Sequence, residues 1–157
     1  MIGRGRTTST AWRHDAMGDL RRFVEAQAPV YATALAELKA GHKQSHWMWF
    51  VFPQLKALGR SSMAQFYGLH DLIEAHSYWS HPVLGPRLKE CVLAVLEVPS
   101  KTAHEIFGSP DDLKFCSCLT LFEQVSPDEC FGVALERFYG GRRDEKTMAL
   151  SEDRPTR

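Results

Sequence analysis

Six large apolar residues stand in an unbroken row from Trp47 to Phe52, and this row limits most strongly how the chain can fold. His46 precedes the row, and Pro53 and Gln54 follow it. So much aromatic volume in one place is expected to form part of the core or the wall of a pocket. Periodicity alone cannot separate a short buried strand from a short helix. Because no second alternating segment exists to pair with a strand, we predict a helix that Pro53 ends.

Helical spacing dominates the rest of the chain from Asp19 onward. The segment from Leu113 to Gln124 is apolar nearly all round, which predicts a central helix. Gly41 is expected to end the helix before it, since glycine is the usual residue after a helix end. The sequence from Ser126 to Glu129 matches a capping box, which predicts a helix start there.

The domain organisation follows from composition and loop length. Residues 1–14 are rich in Gly, Arg, Ser and Thr without periodicity, so we expect a disordered basic arm. We expect one helical domain over residues 15–150 and a disordered tail over 151–157. Loops are short and no repeat is present. The predicted fold class is therefore all-α, a single compact orthogonal-type bundle of about seven to nine mostly short helices.

Charge and cysteine content exclude several classes of protein. Lys plus Arg and Asp plus Glu both number 19, so the formal net charge is zero, which disfavours a general nucleic-acid binder. No apolar run approaches the roughly 18 residues that span a bilayer, and no secretory signal is present, so we expect a cytoplasmic protein with no membrane partner. None of the four cysteines forms a Cys-x-x-Cys pair, which indicates buried thiols in a reducing compartment.

The usual catalytic signatures are missing, so function is argued from three weaker groupings of polar residues. The first runs from His42 to His46. Lys43 can bind an anion, and His46 can act in acid–base chemistry or bind a ligand. Alternatively, this is a polar helix entrance in which His46 bonds to backbone. A metal shared by His42 and His46 is disfavoured because no third ligand has suitable spacing, so we predict no metal and no cofactor.

The second grouping runs from His81 to Leu88, and the third from Asp111 to Phe122. Arg87 can clamp a carboxylate or phosphate with two hydrogen bonds, or it can form an internal salt bridge. His81 is expected to cap a helix or to pack. In the third grouping, Lys114 and Ser117 share a helix face and can activate a nucleophile or bind phosphate. The alternative is that Ser117 only bonds back to a helix carbonyl.

These segments, in this order, resemble a family of uncharacterised domains of unknown function numbered 1810, some of whose members carry the label calpastatin. The resemblance covers nearly everything from Asp19 to Leu150. It rests above all on the row of residues from Ser45 to Phe50, with Phe52 to Leu55 after it, and on His81 to Leu88. The resemblance implies a compact all-helical fold and no established activity.

Other positions mark agreement with the family pattern or departure from it. His42, Cys116 and Cys118 depart from it and are poor candidates for a shared function. The polar positions that match the pattern are Lys43, His46, Gln54, His81, Arg87, Asp112, Lys114, Ser117 and Thr120.

We predict a pocket for an anionic small molecule, such as a nucleotide or a phosphoester, walled by tryptophan and built from residues of all three groupings. Whether the protein is an enzyme is left open. The catalytic candidates are His46, Lys114 and Ser117. The ligand-binding candidates are Lys43, His46, Trp49, Gln54, His81, Arg87, Asp112, Lys114, Ser117 and Thr120. The alternative is a protein-interaction module without a small-molecule site, and a weaker third option is nucleic-acid binding through the basic arm.

Overall fold

The computed structural model describes residues 19–152, which form ten α-helices and one 3₁₀ turn, Lys56–Leu58. The predicted arm over residues 1–14 and residues 153–157 of the predicted tail lie outside this range. The helices are α1 (Arg21–Gln27), α2 (Tyr31–Ala40), α3 (Met48–Val51), α4 (Ser62–Tyr67), α5 (Leu72–Ser80), α6 (Leu84–Leu96), α7 (Ala103–Phe107), α8 (Asp111–Val125), α9 (Cys130–Tyr139) and α10 (Glu145–Glu152).

Helix α8 lies at the centre of the bundle. Its residues from Ser117 to Phe122 are all buried, as are Phe115 and Val125. A helix that is apolar nearly all round needs neighbours on most of its sides, and α5, α7, α9 and α10 all pack against α8. The prediction of a central helix is confirmed, and with it the all-α fold. The helices within residues 19–152 number ten, against about seven to nine expected for the whole chain. No helix within residues 19–152 is long and apolar enough to cross a membrane.

The row from Trp47 to Phe52 is mainly core. It forms the single turn α3, and five of its six side chains are buried. The exception is Trp49, which is partly exposed. Trp47 and Phe52 meet with ring centroids 6.1 Å apart, and the Phe52 ring continues this contact to Phe107 and Phe115. The aromatic row therefore ties the first half of the chain to α7 and α8.

Helix ends show which local signals decide the boundaries. Gly41 ends α2 with φ at 72°, a left-handed conformation that glycine adopts without strain, as expected. The expected capping box at Ser126 is wrong, because the amide of Ser126 bonds to the carbonyl of Phe122 and closes α8. Helix α9 begins four residues later, at Cys130. The structure instead has a capping box between Thr102 and Glu105 at the start of α7.

Candidate functional site

Lys43 is committed to an internal ion pair. Its Nζ lies 3.0 Å from Oδ2 of Asp111 and donates to the carbonyl of Ser45 at 2.6 Å, and its side chain is only 7% exposed. The ammonium also lies 4.9 Å from the ring centroid of Trp47. Lys43 thus fastens the loop after α2 to the start of α8. These contacts occupy its charge, so it is a weak candidate for holding a ligand.

Glu37 organises the same loop. Its Oε1 accepts hydrogen bonds from the amides of Gln44 and Ser45 and from the indole of Trp47, and its Oε2 accepts one from the hydroxyl of Ser45 at 2.6 Å. Burial by itself would raise the pKa of Glu37, but these hydrogen bonds outweigh burial and lower the pKa to about 2. The carboxylate is therefore ionised, and it fixes the direction in which Trp47 enters the core.

Within residues 19–152, Arg87 does not form the internal salt bridge that was the alternative prediction for it. No carboxylate lies within ion-pair distance of its guanidinium anywhere in residues 19–152. Its Nη1 donates to Oε1 of Gln27 at 3.2 Å, and its Cζ lies 4.8 Å from the ring centroid of Tyr31. The guanidinium is thus held in one place by two uncharged groups and keeps its positive charge unneutralised.

Gln27 fixes this arrangement from the core side. It is 1% exposed, and its Nε2 donates to the carbonyl of Phe50 at 2.7 Å and to the hydroxyl of Tyr78 at 3.1 Å. Both hydrogens of the amide nitrogen are used in this way, and the amide oxygen Oε1, which can only accept, accepts from Arg87. Short-range sequence patterns did not indicate Gln27 as a site residue, since its partners lie 23 to 60 residues away.

Arg87 lines an open groove of about 530 Å³ on the outer side of α6. We call this the Arg87 groove; its lining residues are Lys39, Pro86, Arg87, Lys89, Glu90, Leu93, Ala94 and Glu97. Two of its charges have partners. Lys89 pairs with Glu129 at 3.1 Å, and the Tyr31 hydroxyl donates to Glu90 at 2.5 Å. Burial, followed by this hydrogen bond, raises the pKa of Tyr31, so the phenol keeps its proton.

His81 caps the helix that carries Arg87, as expected. Its Nδ1 accepts from the amides of Val83 at 3.0 Å and Leu84 at 3.3 Å. An imidazole nitrogen can accept a hydrogen bond only when the ring is neutral. Burial lowers the pKa of His81, which favours this neutral form. His81 is therefore a structural cap and acts on the groove only by holding the start of α6.

The candidates on α8 that carry hydroxyl or carboxyl groups are used within the fold. Ser117 donates to the carbonyl of Leu113 at 3.2 Å, which is the alternative predicted for it. Thr120 donates to the carbonyl of Cys116 at 2.8 Å and accepts from the amide of Asp144 at 2.9 Å, joining α8 to the start of α10. Asp112 bonds through Oδ1 to the next amide in its own helix and through Oδ2 to Nδ1 of His104 at 3.3 Å.

Three other candidates line one narrow cleft beside α3: Trp49, Gln54 and Lys114. The Nζ of Lys114 lies 5.8 Å from the ring centroid of Trp49. The cavity measures about 10 Å³, which is room for about one water molecule. His46 is exposed and makes no hydrogen bond within the described part of the chain.

The candidates therefore do not form one pocket. Lys43 lies in the loop after α2, Arg87 in the Arg87 groove, and Lys114 in the cleft beside α3. Ser117 and Thr120 bond within and between helices.

The four cysteines are free thiols, and three of them are buried. Burial raises the pKa of Cys91 to about 12 and that of Cys130 to about 11. At neutral pH both thiols stay protonated, and the thiolate is the nucleophilic form. Within residues 19–152, no group of three or more His, Cys, Asp or Glu side chains is placed to hold a metal ion.

Comparisons with known proteins show the family and support the fold. A model of the family described as Protein of unknown function (DUF1810) matches residues 17–150. The chain is similar to the conserved hypothetical protein Rv1873 from Mycobacterium tuberculosis, whose crystal structure extends to 1.38 Å. The two share 51% identity with a TM-score of 0.84, over 85% of this chain and 96% of that one. No curated protein matches the chain.

Proposed function

The chain belongs to the DUF1810 family of proteins of unknown function, so its relatives supply no reaction, and we propose from its own geometry that the Arg87 groove binds a small anionic molecule. The observation that carries this proposal is the unneutralised guanidinium of Arg87. An arginine that is partly buried usually has a carboxylate partner, because removing a charge from water is costly. Arg87 has only the Gln27 amide and the Tyr31 ring beside it.

The fixed position of Arg87 favours binding. Gln27 and Tyr31 hold the guanidinium before any ligand arrives, so little side-chain freedom is lost on binding. Arginine presents its N–H groups in a planar fork that matches the oxygens of a carboxylate or phosphate. A volume of about 530 Å³ also falls within the usual range for small-molecule sites.

The other lining residues indicate what the rest of the ligand is like. Lys39 adds a second positive charge, and Leu93 and Ala94 supply an apolar floor. Glu90 and Glu97 line the same groove, and their negative charges oppose a ligand that is anionic along its whole length. We therefore expect one anionic group, on Arg87, attached to a largely uncharged body. A nucleotide or another phosphoester fits this description. The proposal is a binding role, since His46, Lys114 and Ser117 do not line the groove.

Replacing Arg87 by glutamine is expected to weaken binding of such a ligand by about tenfold or more, because a hydrogen bond to a charged group is lost. The measurement is a thermal-shift screen of nucleotides and phosphoesters, followed by calorimetry on the compounds that shift the melting temperature. Arg87→Lys keeps the charge but loses the planar fork, so its affinity for the ligand should lie between that of the wild type and that of Arg87→Gln.

Arg142→Gln is the matched control for this experiment. Arg142 is exposed, and its guanidinium makes no hydrogen bond or ion pair with any residue from 19 to 152. Its loss changes the net charge by the same amount at a different place. If Arg87→Gln and Arg142→Gln weaken binding equally, the ligand is responding to net charge and the proposed site is wrong.

The structure also gives one observation in favour of a protein-interaction module. Met63 and Phe66, three residues apart on α4, expose 38% and 58% of their surfaces. Residues at this spacing share a helix face, and apolar faces in water are typical of contact surfaces. If this second candidate is correct, Phe66→Ser reduces self-association or partner binding, measured by analytical ultracentrifugation, and no compound in the ligand screen raises the melting temperature.

A further inference from the structure

Helix α6 presents the lining residues of the Arg87 groove in a fixed order. Arg87, Glu90 and Ala94 all line the groove, and intervals of three and four residues separate them. Residues at this spacing share one face of a helix. At a rise of about 1.5 Å per residue, Glu90 lies about 4.5 Å and Ala94 about 10 Å beyond Arg87 along the helix axis. The groove therefore presents a cation, then a carboxylate, then the apolar surface of Leu93 and Ala94.

Tyr31 holds the first two of these groups in place. Its ring centroid lies 4.8 Å from Cζ of Arg87, and its hydroxyl donates to Oε1 of Glu90 at 2.5 Å. The other carboxylate oxygen, Oε2 of Glu90, makes no hydrogen bond or ion pair with any residue from 19 to 152. An ionised carboxylate can only accept hydrogen bonds. Glu90 is thus a positioned acceptor, which suits hydroxyl groups on a ligand and repels a second anion.

We infer that the Arg87 groove takes a ribonucleoside monophosphate and that Glu90 recognises the hydroxyls of its ribose; this inference rests on the proposed function. In such a molecule the ribose lies between the phosphate and the base, which is the order of the three surfaces on α6. The phosphate bonds to the guanidinium of Arg87. The 2′- and 3′-hydroxyls donate to the carboxylate of Glu90, and the base covers Leu93 and Ala94.

The same groups exclude related ligands. A phosphate on the 2′- or 3′-oxygen would lie against the carboxylate of Glu90, where like charges repel. A polyphosphate chain laid along α6 meets Glu90 and then Glu97. The surface below the base is aliphatic, and Leu93 exposes 42% of its area there. Aliphatic side chains do not read the polar edge of a base, so we expect the groove to distinguish the sugar more strongly than the base.

The test compares adenosine 5′-monophosphate with its 2′,3′-dideoxy form, by calorimetry on the intact protein. We expect the dideoxy form to bind about tenfold more weakly, because hydrogen bonds to a charged acceptor are lost. In Glu90→Ala the two nucleotides should bind equally. Tyr31→Phe keeps a ring beside Arg87 but releases Glu90, so the preference for the ribose form should fall to an intermediate value. This ratio of affinities separates positioning by Tyr31 from a general loss of stability.

Glu97→Ala is the matched control. It removes the same charge from the same groove, about 10 Å further along α6 than Glu90. It should change both affinities alike and keep the preference of the wild type. The inference is overturned if the wild type binds both nucleotides equally, or if Glu90→Ala and Glu97→Ala show the same preference.

The experiment also separates this inference from the proposed function. If the wild type binds both nucleotides equally, and Arg87→Gln weakens both more than Arg142→Gln does, the anion site stands and only the role of Glu90 is wrong. If neither nucleotide binds the wild type, the inference fails whatever the variants do. The anion site itself then fails only when no compound of the wider phosphoester screen binds either.

Discussion

Replacing Phe115 by alanine is expected to lower the free energy of unfolding by about 3–5 kcal/mol, the usual range for a buried phenylalanine. Phe115 is fully buried at the centre of α8. Its ring lies 4.9 Å from the Phe52 ring and 4.6 Å from the Phe107 ring, centroid to centroid. Alanine would leave a cavity where three segments meet. The measurement is chemical denaturation followed by tryptophan fluorescence.

Two further variants keep this prediction testable, because a loss of this size is comparable to the whole stability of many domains. Phe115→Leu should fold and lose about 1–2 kcal/mol, since leucine refills most of the space. Leu113→Ala is the control on the same helix. Leu113 is 63% exposed, so its loss should change stability by less than about 0.5 kcal/mol. Equal effects at positions 113 and 115 would contradict the packing described for α8.

Replacing Glu37 by glutamine is expected to lower the free energy of unfolding at pH 7, and to do so less as the pH falls. The pKa of Glu37 is lowered from 4.5 to about 2 in the folded protein. Its contribution is therefore complete above about pH 4.5 and is lost as the pH falls towards 2. The full shift corresponds to about 3 kcal/mol, and solvent screening at this partly exposed position reduces the expected loss to about 2 kcal/mol.

The measurement is the melting temperature or denaturation midpoint of wild type and Glu37→Gln at several values between pH 7 and pH 3. The difference between the two proteins should shrink steadily below pH 4.5. Glu25→Gln is the control, since Glu25 is exposed and forms no hydrogen bond or ion pair with the rest of residues 19–152. A difference at Glu37 that does not change with pH would mean that the carboxylate charge is unimportant and that only its shape matters.

The sequence was a good guide to helices and a poor guide to the partners of polar side chains. The apolar surface of α8 and the left-handed Gly41 were both predictable, because each depends on residues within a few positions. The cap made by His81 was expected for the same reason, and the back-bonding of Ser117 was the alternative to the catalytic role considered for it. The error at Ser126 was also local, since the same residue types occur at helix ends and helix starts.

The contacts of the candidate residues depend on distant parts of the chain. Lys43, Arg87 and Lys114 look alike in sequence, as basic residues near apolar helices. Lys43 is neutralised by Asp111, Arg87 is held by Gln27, and Lys114 covers Trp49. These partners lie in other helices or loops, and no short-range pattern indicates them.

The sequence by itself determined the all-α fold and the central place of α8, because burial patterns repeat every three to four residues along a helix. The resemblance to a family rested instead on particular residues, above all those from Ser45 to Phe50 and from His81 to Leu88. The sequence placed the row from Trp47 to Phe52 in the core or in the wall of a pocket and did not decide between the two. Only the tertiary structure decided which positive charge stays available. Ion pairs and hydrogen bonds form only between groups a few ångströms apart. Gln27 and Arg87 are 60 residues apart in sequence, and they become neighbours only when α1 and α6 pack into the same bundle.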